Sequence, residues 1–293
     1  GVDDFNGYYE VSLKEARAAR LMALNRFELS RMDVAEAPAF EALTARIRPA
    51  LIVHLAAQAG VRYSLENPFA YERANVAGHL SVLEACRRQG VDQLIYASSS
   101  SVYGERPLNA QGFSESDPVD RPASLYAATK RACELMSAAY GSLYGLSQTG
   151  LRFFTVYGPW GRPDMAYFSF ARKIIADEPI DVFGEGHMAR DFTYIDDIID
   201  GLAGVIDHPA ASGEHRLFNI GDSRPVGLMR MIEVLEQALG KPARKRMLPM
   251  QPGDVSATFA DVTKLHELCG YAPKIDLEDG LPRFVQWFQT FAP

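Results

Sequence analysis

Between Ala50 and Val156 the chain alternates short apolar runs with longer amphipathic ones, and few folds accept that order. Ala50-Leu51-Ile52-Val53-His54-Leu55 is a compact run ending in small residues, the mark of a strand buried on both faces. From Asn75 to Arg88 apolar residues recur at Val76, Leu80, Val82, Leu83 and Cys86, which predicts a helix stopping before Gly90. Gln93-Leu94-Ile95-Tyr96-Ala97 predicts the next strand, breaking into Ser98-Ser99-Ser100-Ser101. Leu125 to Leu143 reads as a helix, and Gly150 to Val156 as a strand stopped by Gly158-Pro159. Strand, helix, strand, helix, strand predicts an α/β fold on a doubly wound parallel sheet, with ligands beyond the carboxyl ends of the strands. After Pro159 the pattern loosens at Pro163, Pro179, Gly184 and Gly186, predicting a smaller, irregular substrate-binding region. The expected division gives residues 1–158 to the sheet domain, with 191–235 returning to it through Phe218-Asn219-Ile220-Gly221. Residues 159–190 and 236–293 fall mostly to the covering region.

A chain of 293 residues suggests one large or two intimate domains. Its 30 Lys+Arg against 37 Asp+Glu leave a net charge of −7, which excludes a global basic field for nucleic acid. An anionic small molecule would then need arginines placed locally. The longest apolar stretch, Ala50 to Ala57, is short and carries His54, so no membrane span is expected. Cys86, Cys133 and Cys269 lie far apart and one is necessarily unpaired; that fits a reducing compartment, and a cytoplasmic location is expected. The six histidines have no metal-ligand spacing, so no metal is expected, and His54 on its strand is most simply a core residue.

The sharpest chemical signal is Tyr126-Ala-Ala-Thr-Lys130 at the start of a predicted helix. A spacing of four puts phenol and ammonium on one face. A lysine cation beside a tyrosine favours phenolate and makes a general base. By itself this pair is commonly an ordinary solvated one. Here it follows a strand ending in four serines, and hydroxyl, phenol and ammonium at the carboxyl end of a parallel sheet form a hydride-transfer arrangement.

Leu55 to Ser64 (L-A-A-Q-A-G-V-R-Y-S), Asn75, Ala97 to Gly104 (A-S-S-S-S-V-Y-G), Tyr126 to Lys130, Arg152 to Ala166 (R-F-F-T-V-Y-G-P-W-G-R-P-D-M-A) and Arg190 to Asp197 (R-D-F-T-Y-I-D-D) together resemble an extended short-chain dehydrogenase/reductase. Within that superfamily the chain is most similar to UDP-glucuronate 4-epimerases, over essentially its whole length. The resemblance implies a Rossmann-type NAD-binding domain, tightly held NAD, a UDP-sugar substrate and a homodimer. One departure stands out. The family begins with a strand and a G-x-x-G-x-x-G turn that cradles the pyrophosphate, and this sequence has no such turn. Gly1-Val2-Asp3-Asp4 resembles the end of the family's second strand, so a preceding segment is expected.

Carried over residue by residue, Asp3 resembles the acid that holds the adenosine ribose, and Asp33-Val34 the pair at the adenine edge. Leu55, Ala56 and Ala57 would line the cofactor, and Asn75 would order their loop, the alternative being an Asx helix cap. Tyr126 resembles the catalytic base, Lys130 its electrostatic partner and nicotinamide-ribose ligand, and Ser99 the hydroxyl that bonds the reacting oxygen. Ser98 is assigned to the cofactor and Ser100 and Ser101 to substrate, each with a plain turn serine as the other reading. Phe154 and Val156 would press on the nicotinamide, or serve as core. Arg162 and Arg190 match the cations for a sugar diphosphate, Phe183 the uracil-stacking aromatic, and Asp254 the acid on the nucleotide ribose.

Family comparison also narrows the reaction. Sugar 4,6-dehydratases carry an Asp-Glu pair where this chain has Ser100 and Ser101, which disfavours dehydration. UDP-glucuronate decarboxylases tend to carry Glu at the position of Ser101. Neutral hydroxyls there, with Thr155, would hold a C5 carboxylate without adding negative charge, which points to C4 epimerisation with the carboxylate retained. UDP-galactose 4-epimerase and UDP-glucuronate decarboxylase are the alternative enzymes, and a catalytically silent NAD-binding regulator is the alternative of a different class.

Overall fold

The computed structural model describes residues 1–105, 112–251 and 254–291. Its strands, in chain order, are β1 (Val2–Asp3), β2 (Ser30–Arg31), β3 (Leu51–His54), β4 (Gln93–Ser99), β5 (Gln148–Phe153), β6 (Thr155–Tyr157), β7 (Ile180–Phe183), β8 (Ala189–Tyr194), β9 (His215–Ile220), β10 (Pro225–Gly227), β11 (Lys245–Leu248) and β12 (Ala257–Thr258). The chain forms two compact units. Unit 1 is Gly1–Val102, Ser124–Leu151 and Pro209–Leu217; unit 2 is Tyr103–Ala123, Arg152–His208 and Phe218–Pro293. Unit 2 thus takes in Tyr103–Ala123, Arg152–Gly158 and most of 191–235, more chain than the sequence pattern allots to a covering region.

In unit 1, β1 pairs in parallel with β2, placing Asp3 opposite Arg31. β3 pairs in parallel with β4 from Leu51↔Gln93 to His54↔Tyr96, within a sheet of order β3-β4-β5-β9. Of the strand expected at Phe218–Gly221, Phe218, Asn219 and Ile220 form the second half of β9, and these residues fall in unit 2. The helix predicted before Gly90 runs Gly78–Gln89, and Gly90 closes it in the left-handed region at φ 66°, where a Cβ would be strained. The chain enters that helix through a π-helical turn, Glu72–Ala77, which holds Asn75. The helix Leu125–Tyr144 starts on a Ser124 cap, whose side chain accepts the Ala127 N–H. Val34, Phe40, Val82, Leu83, Leu94 and Tyr96 pack together as this unit's core.

Unit 2 pairs β7 in parallel with β11 and orders β10-β8-β12, with β6 also on β8. Helix Leu277–Phe291 turns Leu281, Phe284, Val285 and Phe288 into a core that includes Tyr157, Tyr167, Phe168, Met231 and Leu235. Tyr103–Ala123 belongs to this unit for a polar reason that periodicity does not reveal. The fully buried Arg152 donates to the Tyr103 hydroxyl at 2.9 Å, and that hydroxyl donates to Asn219 Oδ1 at 2.6 Å. Gly104 follows at φ 67°, and a Cβ there would collide with the Arg121 carbonyl.

The sheet of unit 1 also buries a line of rings. His54 stacks on His79 with centroids 5.5 Å apart, and His79 lies 4.9 Å from Tyr96, whose hydroxyl meets His215 Nε2 at 2.8 Å. Burial, and then the Lys130 cation, hold His54 at about 3; burial likewise keeps His79 well below 6.5, with His54 and Lys130 adding to the effect. His79 Nε2 is hydrogen-bonded to Ser137 Oγ at 2.8 Å. The unfolded chain, with ordinary imidazoles near 6.5, therefore takes up protons first as pH falls. The stability due to the neutral rings is complete above 6.5 and declines below it, by about 1.4 kcal/mol per pH unit per histidine. Urea unfolding at a series of pH values between 7.5 and 4.5 should show this slope, and His54→Gln should reduce it. An unchanged slope in that variant means that His54 is not held neutral.

Candidate active site

In unit 1 the carboxyl end of β4 meets the helix Leu125–Tyr144. Lys130 is buried, and its Nζ donates to the Ala97 carbonyl at 2.9 Å, two residues before Ser99. Tyr126 lies one turn ahead of Lys130 on the same helix, half-buried, its ring edge-on to Tyr71 with centroids 6.0 Å apart. Tyr71 has no exposed surface, and its hydroxyl donates to the Ala59 and Gly60 carbonyls, so it is a fixed wall for the Tyr126 ring. Ser99 is buried at the strand end, where its Oγ accepts from the N–H and the hydroxyl of Ser101. Ser100 and Ser101 begin a 3-10 turn, Ser100–Tyr103. Ser98 turns away from these hydroxyls, and its Oγ donates to Glu134 at 2.6 Å.

Asn75 acts as a clamp rather than a helix cap. Its Oδ1 accepts the Gln58 N–H at 2.8 Å, and its Nδ2 donates to the Gln58 carbonyl at 3.0 Å and to Thr129 Oγ1 at 2.9 Å. The loop after β3, carrying Leu55, Ala56 and Ala57, is thereby tied to the helix that holds Tyr126. A cleft of about 310 Å³ opens beside β1 and β2, lined among others by Asp4, Asn6, Asp33, Gln58, Tyr63 and Arg73. Asp3 closes β1, its Oδ1 fixed by the Phe5 N–H at 2.7 Å. Asp33 accepts the Ala35 N–H and pairs with Arg73 Nε at 2.8 Å, while Val34 beside it is buried in the core. The Asp33 carboxylate, facing this cleft with the amides of Asn6 and Gln58 and the phenol of Tyr63, suits the hydroxyls and amino group of an adenosine, whereas Asp4 rather than Asp3 lines the cleft from the β1 side.

Unit 2 carries the other predicted residues. Thr155 and Val156 lie on β6 opposite Phe192 and Thr193 of β8, and Phe154 just before them is buried. β8 also carries Arg190, whose guanidinium donates to the carbonyls of Ala189, Val255 and Ser256 and so joins β8 to the loop containing Asp254. Phe183 ends β7 opposite Leu248 of β11. Arg162 faces Asp164 at 3.4 Å. Among the described residues no group of three or more His, Cys, Asp or Glu could hold a metal ion, and no helix is long and apolar enough to cross a membrane.

Some residues that build these sites gave no sequence signal of their role. The carboxylate of Asp191, next to Arg190, has no exposed surface and accepts the N–H groups of Asp222, Ser223 and Ala260 and the Thr193 hydroxyl. Burial pushes its pKa up, and these four donors oppose that shift by favouring the charged form. Asp197 similarly accepts the N–H groups of Lys274 and Ile275. Both acids stand in the Arg190 to Asp197 run, yet they knit the frame of unit 2 rather than face a ligand.

A parallel-sheet α/β protein with Ser, Tyr and Lys at the end of a strand and a nucleotide-sized cleft has the form of a nucleotide-dependent oxidoreductase or isomerase. The NAD dependent epimerase/dehydratase family matches residues 6–221, and the chain belongs to that family. It is 44% identical to a probable UDP-glucuronate 4-epimerase of Rhizobium meliloti, an alignment covering 98% of this chain and 89% of that protein. The structure of a Bacillus cereus UDP-glucuronic acid 4-epimerase, solved with UDP-glucuronic acid and NAD, superimposes with a TM-score of 0.92 at 33% identity, over 99% of this chain and 90% of that one. A UDP-glucose 4-epimerase of Thermotoga maritima, solved with UDP-glucose, matches at TM-score 0.86 and 26% identity, over 100% of this chain and 99% of that one. The fold is accordingly the Rossmann-like one of this family.

The frame formed by Asp191 yields a stability prediction. Asp191→Ala strands three N–H donors, two of them buried, at about 1–3 kcal/mol each, so the urea midpoint should fall by the equivalent of roughly 3 kcal/mol or more. A loss below about 1 kcal/mol would mean that water or a rearranged loop replaces the carboxylate.

Proposed function

We propose that this chain inverts C4 of a UDP-uronic acid, converting UDP-glucuronate to UDP-galacturonate with NAD as its cofactor. The observation that carries the reading is Lys130 Nζ held on the Ala97 carbonyl, two residues before Ser99 and one helical turn from Tyr126. The full-length likeness to UDP-glucuronate 4-epimerases supports the choice of sugar. Unit 1 is assigned the cofactor through Asp3, Asp33, Val34, Leu55 to Ala57 and Asn75; Ser98, expected on the cofactor from the sequence, donates its hydroxyl to Glu134 instead. In unit 2, Phe154 and Val156 are assigned the nicotinamide, and Arg162, Phe183, Arg190 and Asp254 the UDP moiety.

NAD, when bound, supplies the acceptor for the C4 hydride and its return to the opposite face. Tyr126 takes the proton of the C4 hydroxyl, with the Lys130 ammonium one helical turn away on the same face. Ser99 hydrogen-bonds the same oxygen and fixes its direction. After the 4-keto sugar has turned over, Tyr126 gives the proton back, so the enzyme ends as it began. The hydroxyls of Ser100, Ser101 and Thr155 are assigned the C5 carboxylate. With its ketone at C4 and its carboxylate on C5 the oxidised sugar is a β-keto acid, which loses CO2 readily when the carboxylate bond aligns with the ketone π system, and hydrogen bonds of about 1–3 kcal/mol to a charged acceptor bias that angle.

We further infer a cytoplasmic homodimer. Three free cysteines support the compartment, and Leu135 and Leu143, both exposed on helix Leu125–Tyr144, support a self-association face.

Incubated with UDP-glucuronate, the purified protein should yield UDP-galacturonate by anion-exchange chromatography. UDP-pentose as the main product would make it a decarboxylase, and equally fast turnover of UDP-glucose would favour the UDP-galactose 4-epimerase alternative. Tyr126→Phe should keep the fold and its NAD while losing roughly 10²-fold or more in turnover; near-wild-type turnover removes Tyr126 from the role of base. Thr155→Ala should epimerise more slowly and release a detectable fraction of UDP-pentose, and a clean product there would end the carboxylate assignment.

A further inference from the structure

The face that helix Leu125–Tyr144 buries is unusually polar. Thr129, Lys130, Cys133, Glu134 and Ser137 succeed one another along it, each buried. Thr129 and Cys133 meet Asn75, Lys130 meets Ala97, and Ser137 meets His79. Glu134 is the one acid among the five, and its side chain has no exposed surface. An unpaired carboxylate so buried would be strongly unfavourable, so its partners indicate what it does. One oxygen accepts the Ser98 hydroxyl at 2.6 Å, and the other accepts Arg131 at 2.9 Å, whose side chain reaches solvent.

Ser98 stands between the two residues of β4 that matter most. Ala97 carries the carbonyl that holds Lys130, and Ser99 is the hydroxyl assigned to the reacting oxygen. Side chains alternate along a strand, so fixing the side chain of Ser98 on the helix also fixes the direction of Ser99, the last residue of β4. Tyr126, Lys130 and Glu134 are spaced by four and lie along one side of the helix. The two elements are thus joined at consecutive strand residues, Lys130 on Ala97 and Glu134 on Ser98.

We propose that Glu134 is a positioning residue of the active site: by holding Ser98 it sets the facing and register of Ser99 against Tyr126 and Lys130. The proposal rests on the catalytic assignment of those three residues. Glu134 touches neither sugar nor cofactor and acts through Ser98.

The test measures kcat and KM for UDP-glucuronate, co-purified NAD and melting temperature in Glu134→Ala, Glu134→Gln, Ser98→Ala and the double alanine variant, with Tyr126→Phe as control. Glu134→Ala should lose about tenfold or more in kcat, with KM within about twofold and NAD retained, as a misplacement near 1 Å costs rate rather than binding. Glu134→Gln keeps an acceptor for the Ser98 hydroxyl and should recover kcat to within about threefold of wild type. Ser98→Ala should reproduce the loss, and the double variant should lose no more than either single one. Ser98→Ala carries the test alone should Glu134→Ala not fold. Wild-type kcat in either alanine variant, additive losses in the double variant, or no recovery in Glu134→Gln each overturn the proposal. A Tyr126→Phe variant of near-wild-type turnover would instead overturn the catalytic assignment beneath it.

Discussion

The hydrogen bond from Lys130 to the Ala97 carbonyl joins the two elements on which the chemistry depends. A buried ammonium is costly unless its donors find acceptors, and a strand-end carbonyl in a parallel sheet is a fixed one. That anchor ties the helix Leu125–Tyr144 to β4, and the remaining polar contacts along the helix follow from it. Asn75 reaches Thr129 from the π-helical turn, and Ser137 reaches His79 from the other end of the face. An apolar helix face would pack as tightly and specify its register less closely, since dispersion is non-directional whereas each of these bonds has one geometry.

Unit 2 is organised differently. Its core is aromatic, with Tyr157, Tyr167, Phe168 and Phe284 packed together, and its strands are short and held at their ends by buried charges. Asp191 gathers backbone donors from two distant segments, and Arg190 gathers carbonyls from the loop that carries Asp254. Neighbours in sequence, the two divide the work. Asp191 satisfies N–H groups that no strand pairs, and Arg190 satisfies C=O groups. Short strands leave many such groups unpaired, and buried backbone polar groups require partners.

The parts of the site legible in the sequence are those that local chemistry produces. Tyr126 and Lys130 share a face because of helical pitch, and the serines break β4 because small polar residues follow an apolar run. Gly90 stops its helix because it accepts positive φ. The assignments of Asp3, Asp33, Phe183 and Asp254 came from family resemblance, and nothing in their local sequence would have suggested a role. Glu134 and Tyr71 were invisible on both grounds, and Asp191 stood in the Arg190 to Asp197 run with no role attached to it. A glutamate in an amphipathic helix ordinarily reads as a solvated residue, and the burial of Glu134 is evident only once β4 lies against it.

By itself the sequence determined the order of strands and helices, the parallel sheet, and the pairing of phenol and ammonium on one helix, because each follows from periodicity over a few residues. Only the tertiary structure decided which way Ser98 and Ser99 face, that Asn75 clamps Gln58, and that Tyr103–Ala123 joins the second unit. These depend on partners far apart in the chain, such as Asn75 with Thr129 and Asp191 with Ala260. A buried polar group takes whichever donor or acceptor the fold brings within about 3 Å of it, and no local pattern records that choice.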